Sequence, residues 1–522
     1  MISRVDSRAV PALILAFLVA LGSAWIFANP PGAAPDEGSH FVKAVGVGGG
    51  DLAGKAPSGD ARGLSEEDYE ALTKLLKDRS ALERVREQSE SRAGLWQQRS
   101  AREFEVPAGL GFTGFGCDLP EPERSASCLE NGRQSRVDDR RGTFMGTYQP
   151  YLYLPPGLLL RTVREPLAAL RLGRVGAAFI SLLLLAAAGA LLWDGARGAR
   201  SLTGLIVAVS PSIVFFASTL STSGPEISAA VCFSASLIRL TRARSASWWV
   251  WALAAAGGAV LAVSRSLGPL FVVVALVAAM ALAPRGRMGA ALRSARRATA
   301  AATGAIVVAI GAGLWWQVKY QPSLGWNRQR ILDGIAPAVS DLVEIARQAV
   351  GKFGSLESNL PLGVYLLWWL MFALLLGIAL RLGSGRERLA LVGLCAGVVL
   401  LTIGLSAVYR QTGFPLQARH VLPLIVMVPL WAGELINRHP ERLRPPAARR
   451  LLVGLALAAA LAHAVAWYAN GRRFAVGTDG SWNFVPSAEW LPPLGWVPWI
   501  AVVCAGVLAY AAAARSAARA VT

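Results

Sequence analysis

Charge is what this chain has least of. Asp, Glu, Lys and Arg make up 16% of its 522 residues against 54% hydrophobic ones, and mean hydropathy is +0.44. So little charge on so much apolar mass excludes an ordinary soluble protein and points to a polytopic membrane protein. Lysine is scarcer still, six residues against 46 arginines, a bias that with abundant Ala and Gly indicates a GC-rich bacterial genome rather than an activity. In a soluble domain the formal charge of +19 would suggest a nucleic-acid partner. Here the arginines lie between apolar runs, and no nucleic-acid partner is expected. Internal repeats, low-complexity tracts and a separate soluble domain are also missing.

Apolar runs long enough to cross about 30 Å of hydrocarbon recur twelve times, at about 10–28, 170–193, 202–220, 223–240, 246–264, 266–283, 299–317, 361–380, 389–408, 419–437, 451–469 and 495–514. Their interiors are nearly free of ionisable groups, with Asp194 and Glu434 near the inner ends, which counts against an ion-coupled transporter. The first run follows Arg4 and Arg8 as a signal peptide would. Its 19 apolar positions exceed the roughly 7–15 of such a segment, so a retained helix is expected.

With the amino terminus in the cytoplasm, the inner connections hold Arg197 and Arg200; Arg239, Arg242 and Arg244; Arg285, Arg287, Arg293, Arg296 and Arg297; Arg381, Arg386 and Arg388; and Arg438, Arg442, Arg444, Arg449 and Arg450. The short outer connections hold only Arg265, Arg410, Arg472 and Arg473. This asymmetry follows the positive-inside rule and puts both termini in the cytoplasm. The expected division is residues 1–28, a tail and first helix; 29–169, a large extracytoplasmic loop with an acidic motif; 170–317, helices two to seven; 318–360, a second extracytoplasmic loop; and 361–522, helices eight to twelve and a cytoplasmic tail.

The first loop contains a capping-box pattern at Ser65 and Asp68, with Tyr69, Leu72, Leu76 and Val85 at helical spacing, so a partly amphipathic helix is expected there. It also holds Cys117 and Cys128, whereas Cys232, Cys395 and Cys504 fall inside apolar runs. An oxidising outer compartment makes a Cys117–Cys128 disulfide the expectation. Mixed periodicity over 318–360 suggests short interfacial helices, and the Trp- and Pro-rich 470–494 an interface belt.

"PPGAAPDEGSHF", at 30–41, places Asp36, Glu37 and His40 just after the first run. If the chain turns helical after Pro35, Asp36 and His40 share a face. Two readings stand: a chemical site, or ordinary helix-start chemistry with acids near the amino-terminal dipole. Arg265, Arg410, Arg419 and His420 fall at the same outer boundary. They either converge with Asp36 on a pocket for an anionic substrate or snorkel to headgroups. Glu226 reads equally well as a first-turn cap. Tyr148, Tyr151 and Tyr153 line a sugar site on one reading and an aromatic belt on the other.

Taken in order, "PPGAAPDEGSHF", "YQPYLYLPP", "SPSIVFFASTLSTSGPEISAA", "SRSLGPL", "KFGSLESNLP" and "LQARHVLPL" resemble the successive motifs of a bacterial multispanning family (DUF 2142) grouped with GT-C glycosyltransferases. The family's acidic motif commonly reads Pro-Pro-Asp-Glu-Pro-x-His, where this chain has Ala34 before Pro35 and Gly38 in place of the second Pro; its later Gln-Gly-Arg-Tyr is Gln417, Ala418, Arg419, His420 here.

The resemblance implies an all-α GT-C-like bundle of about twelve helices, in the bacterial cytoplasmic membrane, whose large first loop contains short helices. It implies transfer of a sugar from a polyprenyl-phosphate donor to a cell-envelope glycan or glycolipid, with membrane lipids as surroundings. On this resemblance Asp36 is the general base; Glu37 positions the acceptor or a cation; His40 orients a carboxylate or binds metal. Arg265, Arg410 and Arg419 meet the departing phosphate, and Tyr148, Tyr151 and His420 contribute to substrate binding. A divalent metal would draw on Glu37, His40 and Glu357, although a solvated loop charge is the stronger reading of the last. The rival readings are a lipid-linked sugar flippase or transporter and a noncatalytic envelope-assembly protein.

Overall fold

The computed structural model describes residues 9–57, 91–117, 121–193, 199–242, 246–322 and 327–521. The amphipathic helix expected around Ser65–Val85 lies outside the described residues. All twelve apolar runs are helical, but they are not twelve uniform crossings. Among the described residues seven helices are long and apolar enough to cross a bilayer alone: Ala9–Phe27, Pro166–Trp193, Arg296–Tyr320, Leu362–Leu382, Gly385–Thr412, Pro445–Val476 and Trp496–Arg519. Counting each of two bent helix pairs as one span gives nine among the described residues.

The departures have local causes. In the third run Leu202–Ala208 and Pro211–Ala217 meet at 75°. Pro211 holds Ser210 in an extended conformation, φ −72° and ψ 164°, because the residue before a proline avoids helical geometry. The hydroxyls of Ser210 and Ser212 donate to Ala349 O and Gln348 O, both at 2.6 Å, tying this break to the end of the helix Ile335–Gly351. In the sixth run Gly268–Leu282 turns by 115° into Arg287–Ser294 through Gly286, whose φ of 74° suits a residue without Cβ. The tenth run is split into Leu422–Ile425 and Met427–Arg438 and is preceded by a 3-10 turn, Ala418–His420.

Ser223–Arg242 is buried along almost its whole length. It packs against Pro166–Trp193 and Trp248–Ser264 and forms the centre of the bundle. Its many small residues, Gly224, Ala229, Ala230 and Ala235 among them, let neighbouring backbones approach, as helix packing in lipid requires.

At the acidic-motif end the first loop forms short helices, Glu37–Gly48, Arg92–Ser100 and Leu154–Leu160. It also contains an antiparallel strand pair not expected from the sequence, Arg102–Val106 with Asp139–Thr143. Cys117 and Cys128 are joined by a disulfide. The helices Glu37–Gly48 and Leu154–Leu160 touch backbone to backbone: a Cβ on Gly48 would lie 2.2 Å from Gly157 O, and one on Gly157 2.4 Å from Ala44 O. The segment 318–360 contains the helices Arg328–Asp333 and Ile335–Gly351, the latter with Val339 and Val343 exposed.

Candidate functional site

Pro35 and Asp36 turn the chain from the first span into the helix Glu37–Gly48. Asp36 is its N-cap residue in a left-handed conformation, φ 60° and ψ 13°, and its side chain makes no capping hydrogen bond. Left-handed backbone is tolerated by Asp better than by most residues. The carboxylate is therefore not spent on helix-start chemistry. It forms an ion pair with the guanidinium of Arg419, from the 3-10 turn before the tenth run, and Arg419 Nη1 also donates to Pro35 O at 3.3 Å. Arg419 is 5% exposed at its side chain and Asp36 29%, so the acid is the open partner. Burial pushes the Asp36 carboxyl upward, but the Arg419 guanidinium outweighs it and holds the group below its ordinary range.

Glu37 takes a different part. Arg174 Nε and Nη2 donate to its two oxygens at 2.7 and 2.6 Å. The amides of Gly32 and Leu220 add one bond each at 3.0 Å. Arg174 also donates to the carbonyls of Ile26, Asn29 and Pro30. Both side chains are fully enclosed. The geometry corrects the expected acceptor- or cation-binding role of Glu37, whose oxygens are engaged in fastening the acidic motif to the second span.

His40, one turn further, is buried, with Nδ1 2.6 Å from the Tyr153 hydroxyl. Burial pushes this imidazole down to about 3 despite the opposing pull of Asp36, so it is neutral at physiological pH. Tyr148 meets His40 edge-on at 6.1 Å. Its ring also underlies the Arg265 guanidinium at 5.7 Å.

Arg265 follows the helix Trp248–Ser264. Its Nε donates to Thr222 Oγ1 at 3.0 Å and its Nη2 to Ser223 Oγ at 2.6 Å, while Glu226 Oε2 stands 3.7 Å from Nε. Arg419 and Arg265 both act on Asp36 electrostatically. His420, tilted against Tyr409 at 5.1 Å, belongs to the same group.

Lys43, on the same helix as His40, is directed into the first loop. Its ammonium donates to Leu52 O and Gly146 O, both at 2.8 Å, and lies 4.8 Å from the Phe104 ring centre. Burial pushes it down to about 7.

Asp36, His40, Tyr148, Arg265, Arg419 and His420 thus come together. Three expected residues do not. Arg410 is engaged by Asp341, at 2.6 and 3.1 Å, so its expected contact with a departing phosphate is corrected to an ion pair that holds the helix Ile335–Gly351. Tyr151 donates to Ala312 O at 3.3 Å and packs edge-on to Trp316, an anchoring contact in place of the expected substrate contact. Glu357 lies 3.8 Å from Arg473. The metal set Glu37, His40 and Glu357 is accordingly not assembled, and among the described residues no three His, Cys, Asp or Glu side chains form a metal-holding group.

Arg174, Tyr409, Thr222 and Ser223 were missed by sequence reasoning. Arg174 had a signal, a guanidinium inside an apolar run, where an ionisable residue needs a partner.

A comparison with functionally curated proteins finds no match. Among solved structures the chain is similar to ArnT from Cupriavidus metallidurans bound to undecaprenyl phosphate, at 15% identity and a TM-score of 0.35, over 71% of this chain and 67% of that one. It is likewise similar to the apo form of the same protein, at 16% identity and a TM-score of 0.34, over 71% and 66%. A family model of predicted membrane proteins, DUF2142, matches residues 18–428, and the chain belongs to that family.

Proposed function

We propose that the chain is a GT-C-type glycosyltransferase that moves a sugar from a polyprenyl-phosphate donor to a cell-envelope glycan or glycolipid on the outer side of the bacterial cytoplasmic membrane, with both termini inside. The observation that carries this reading is the Asp36–Arg419 pair, with Arg265 in electrostatic reach of the same carboxylate. A half-open acid beside two guanidinium groups suits a reaction that removes a proton and releases a phosphate.

The acceptor hydroxyl gives its proton to Asp36 as its oxygen bonds to the anomeric carbon. The bond from that carbon to the phosphate oxygen breaks, and the charge gathering on the phosphate is met by Arg265 and Arg419. Arg419 also keeps Asp36 ionised, as a proton acceptor must be. Glu37 is a positioning residue: through Arg174 it fixes the turn on which Asp36 stands. His40, Tyr148, Tyr153 and Tyr409 supply an aromatic, neutral wall that limits water.

A flippase for lipid-linked sugars is the second reading, favoured by the 75° break in the third run, since broken helices are a transporter feature. Reconstituted vesicles given radiolabelled polyprenyl-phosphate sugars and envelope extract separate the two. Transfer by the wild type that is lost in Asp36→Asn supports the enzyme, and transfer unchanged by the substitution refutes it. Carrier crossing the bilayer with no product establishes the flippase.

A further inference from the structure

Buried polar atoms are normally paired, yet the site described above leaves several unpaired among the described residues. Arg265 Nη1, Arg419 Nε, His40 Nε2, His420 Nδ1 and Glu226 Oε2 are all buried without a hydrogen-bond partner. Unmade bonds concentrated in one place mark where a polar ligand completes the structure. The guanidinium nitrogens are donors only and match an oxyanion. The imidazole nitrogens donate or accept according to tautomer, and Glu226 Oε2, a carboxylate acceptor, matches a hydroxyl.

Glu226 is 1% exposed. Its other oxygen accepts from Ser264 Oγ at 3.2 Å. The adjacent Arg265 does not satisfy it, because Nε and Nη2 of that guanidinium are directed to Thr222 and Ser223 and the nearest approach is 3.7 Å. Nor do its oxygens cap the helix Ser223–Arg242, since the contacts they make are with Ser264 and Arg265. A carboxylate so placed, next to a guanidinium with one free edge, faces a ligand that carries a hydroxyl close to a phosphate. A glycosylated polyprenyl phosphate has that pattern, with hydroxyls on ring carbons one or two bonds from the carbon that bears the phosphate. We propose that Glu226 recognises a hydroxyl of the donor sugar while Arg265 holds the adjoining phosphate. This deepens the donor assignment made above and rests on it.

The test is equilibrium binding of undecaprenyl phosphate and of undecaprenyl-phosphoryl glucose, mannose and arabinose to the full chain in nanodiscs, with melting temperature recorded for every variant. The wild type is expected to bind at least one glycosylated carrier more tightly than the bare one. Glu226→Gln and Glu226→Asp should weaken that carrier by about tenfold or more, the worth of one hydrogen bond to a charged group. Both should leave undecaprenyl phosphate within about threefold, whereas Arg265→Gln weakens bare and glycosylated carriers alike. Equal loss of both ligands in the Glu226 variants, or failure of both variants to fold, makes Glu226 a structural support and overturns the proposal. Unchanged binding of the glycosylated carrier overturns it too. A wild type that binds all carriers alike sinks this inference and spares the donor assignment; one that binds none sinks both.

Discussion

Asp36 and Arg419 stand 383 positions apart in the chain and form one ion pair, with the acid the more exposed of the two. Its neighbour Glu37 is paired as well, to Arg174, but in a sealed setting. Two consecutive carboxylates therefore stand in opposite settings, one partly exposed beside its guanidinium and one sealed against its own, and on the function proposed above each makes a distinct prediction.

Asp36→Asn should lower sugar transfer by about 100-fold or more, the usual worth of a positioned base. The fold should survive, because Asn tolerates the left-handed backbone at this position. Kinetics and circular dichroism on the same preparation check both halves. Loss of helical signal in parallel with activity would count against a chemical role.

Glu37→Gln should destabilise the protein far more than Asp36→Asn does. Removing one partner of a buried pair leaves the other charge uncompensated and costs about 3–5 kcal/mol. The midpoint of thermal unfolding in detergent reads this, and equal shifts for the two variants would refute the assignment of Glu37 as the structural member.

Acidity supplies a third check. The Asp36 carboxyl titrates below its ordinary value of 3.8, and a base with a depressed value stays active until the pH falls through it. Transfer should therefore show no acid limb near neutrality. Arg419→Gln removes the stabilising cation and leaves burial, so the limb should move upward. A limb unmoved in that variant would detach Arg419 from Asp36 in solution.

Lys43 makes the opposite kind of statement. Its value falls from 10.5 to about 7 on folding, so between these limits the unfolded chain binds more protons and stability rises with pH. Unfolding midpoints from pH 7 to 9 should climb in the wild type and flatten in Lys43→Met. Equal slopes would place the ammonium in water.

Membrane sidedness can be read from the disulfide. After reduction, the part-exposed Cys117 should react with a maleimide that cannot cross the membrane when it is added outside intact cells, and not from the cytoplasmic side. Labelling only after lysis would invert the proposed topology.

Much of the bundle was legible because bilayer thickness imposes a length on every apolar run. The number of full crossings was not, since hydropathy passes smoothly over Ser210 and Pro211 while the backbone does not. Asp36, Arg265, Arg419 and His420 could be singled out because they recur at one expected outer boundary, inside motifs that resemble those of the family. Their mates could not. Whether Arg410 reaches a substrate or Asp341 depends on where the helix Ile335–Gly351 comes to rest, and that is set by contacts such as Ser210 to Ala349, which no local pattern announces. The strand pair was hidden for a related reason: "DRRGT" is charged and mostly exposed, without the alternation of a half-buried strand.

The contact between Gly48 and Gly157 has a mechanical consequence. With no side chains between the two backbones, the segment that follows Asp36 rests directly on the segment that follows Tyr153, and no side chain could be added at either glycine without parting them. If the chain is the transferase proposed above, a side chain introduced at either glycine would displace the turn that presents Asp36 to Arg419.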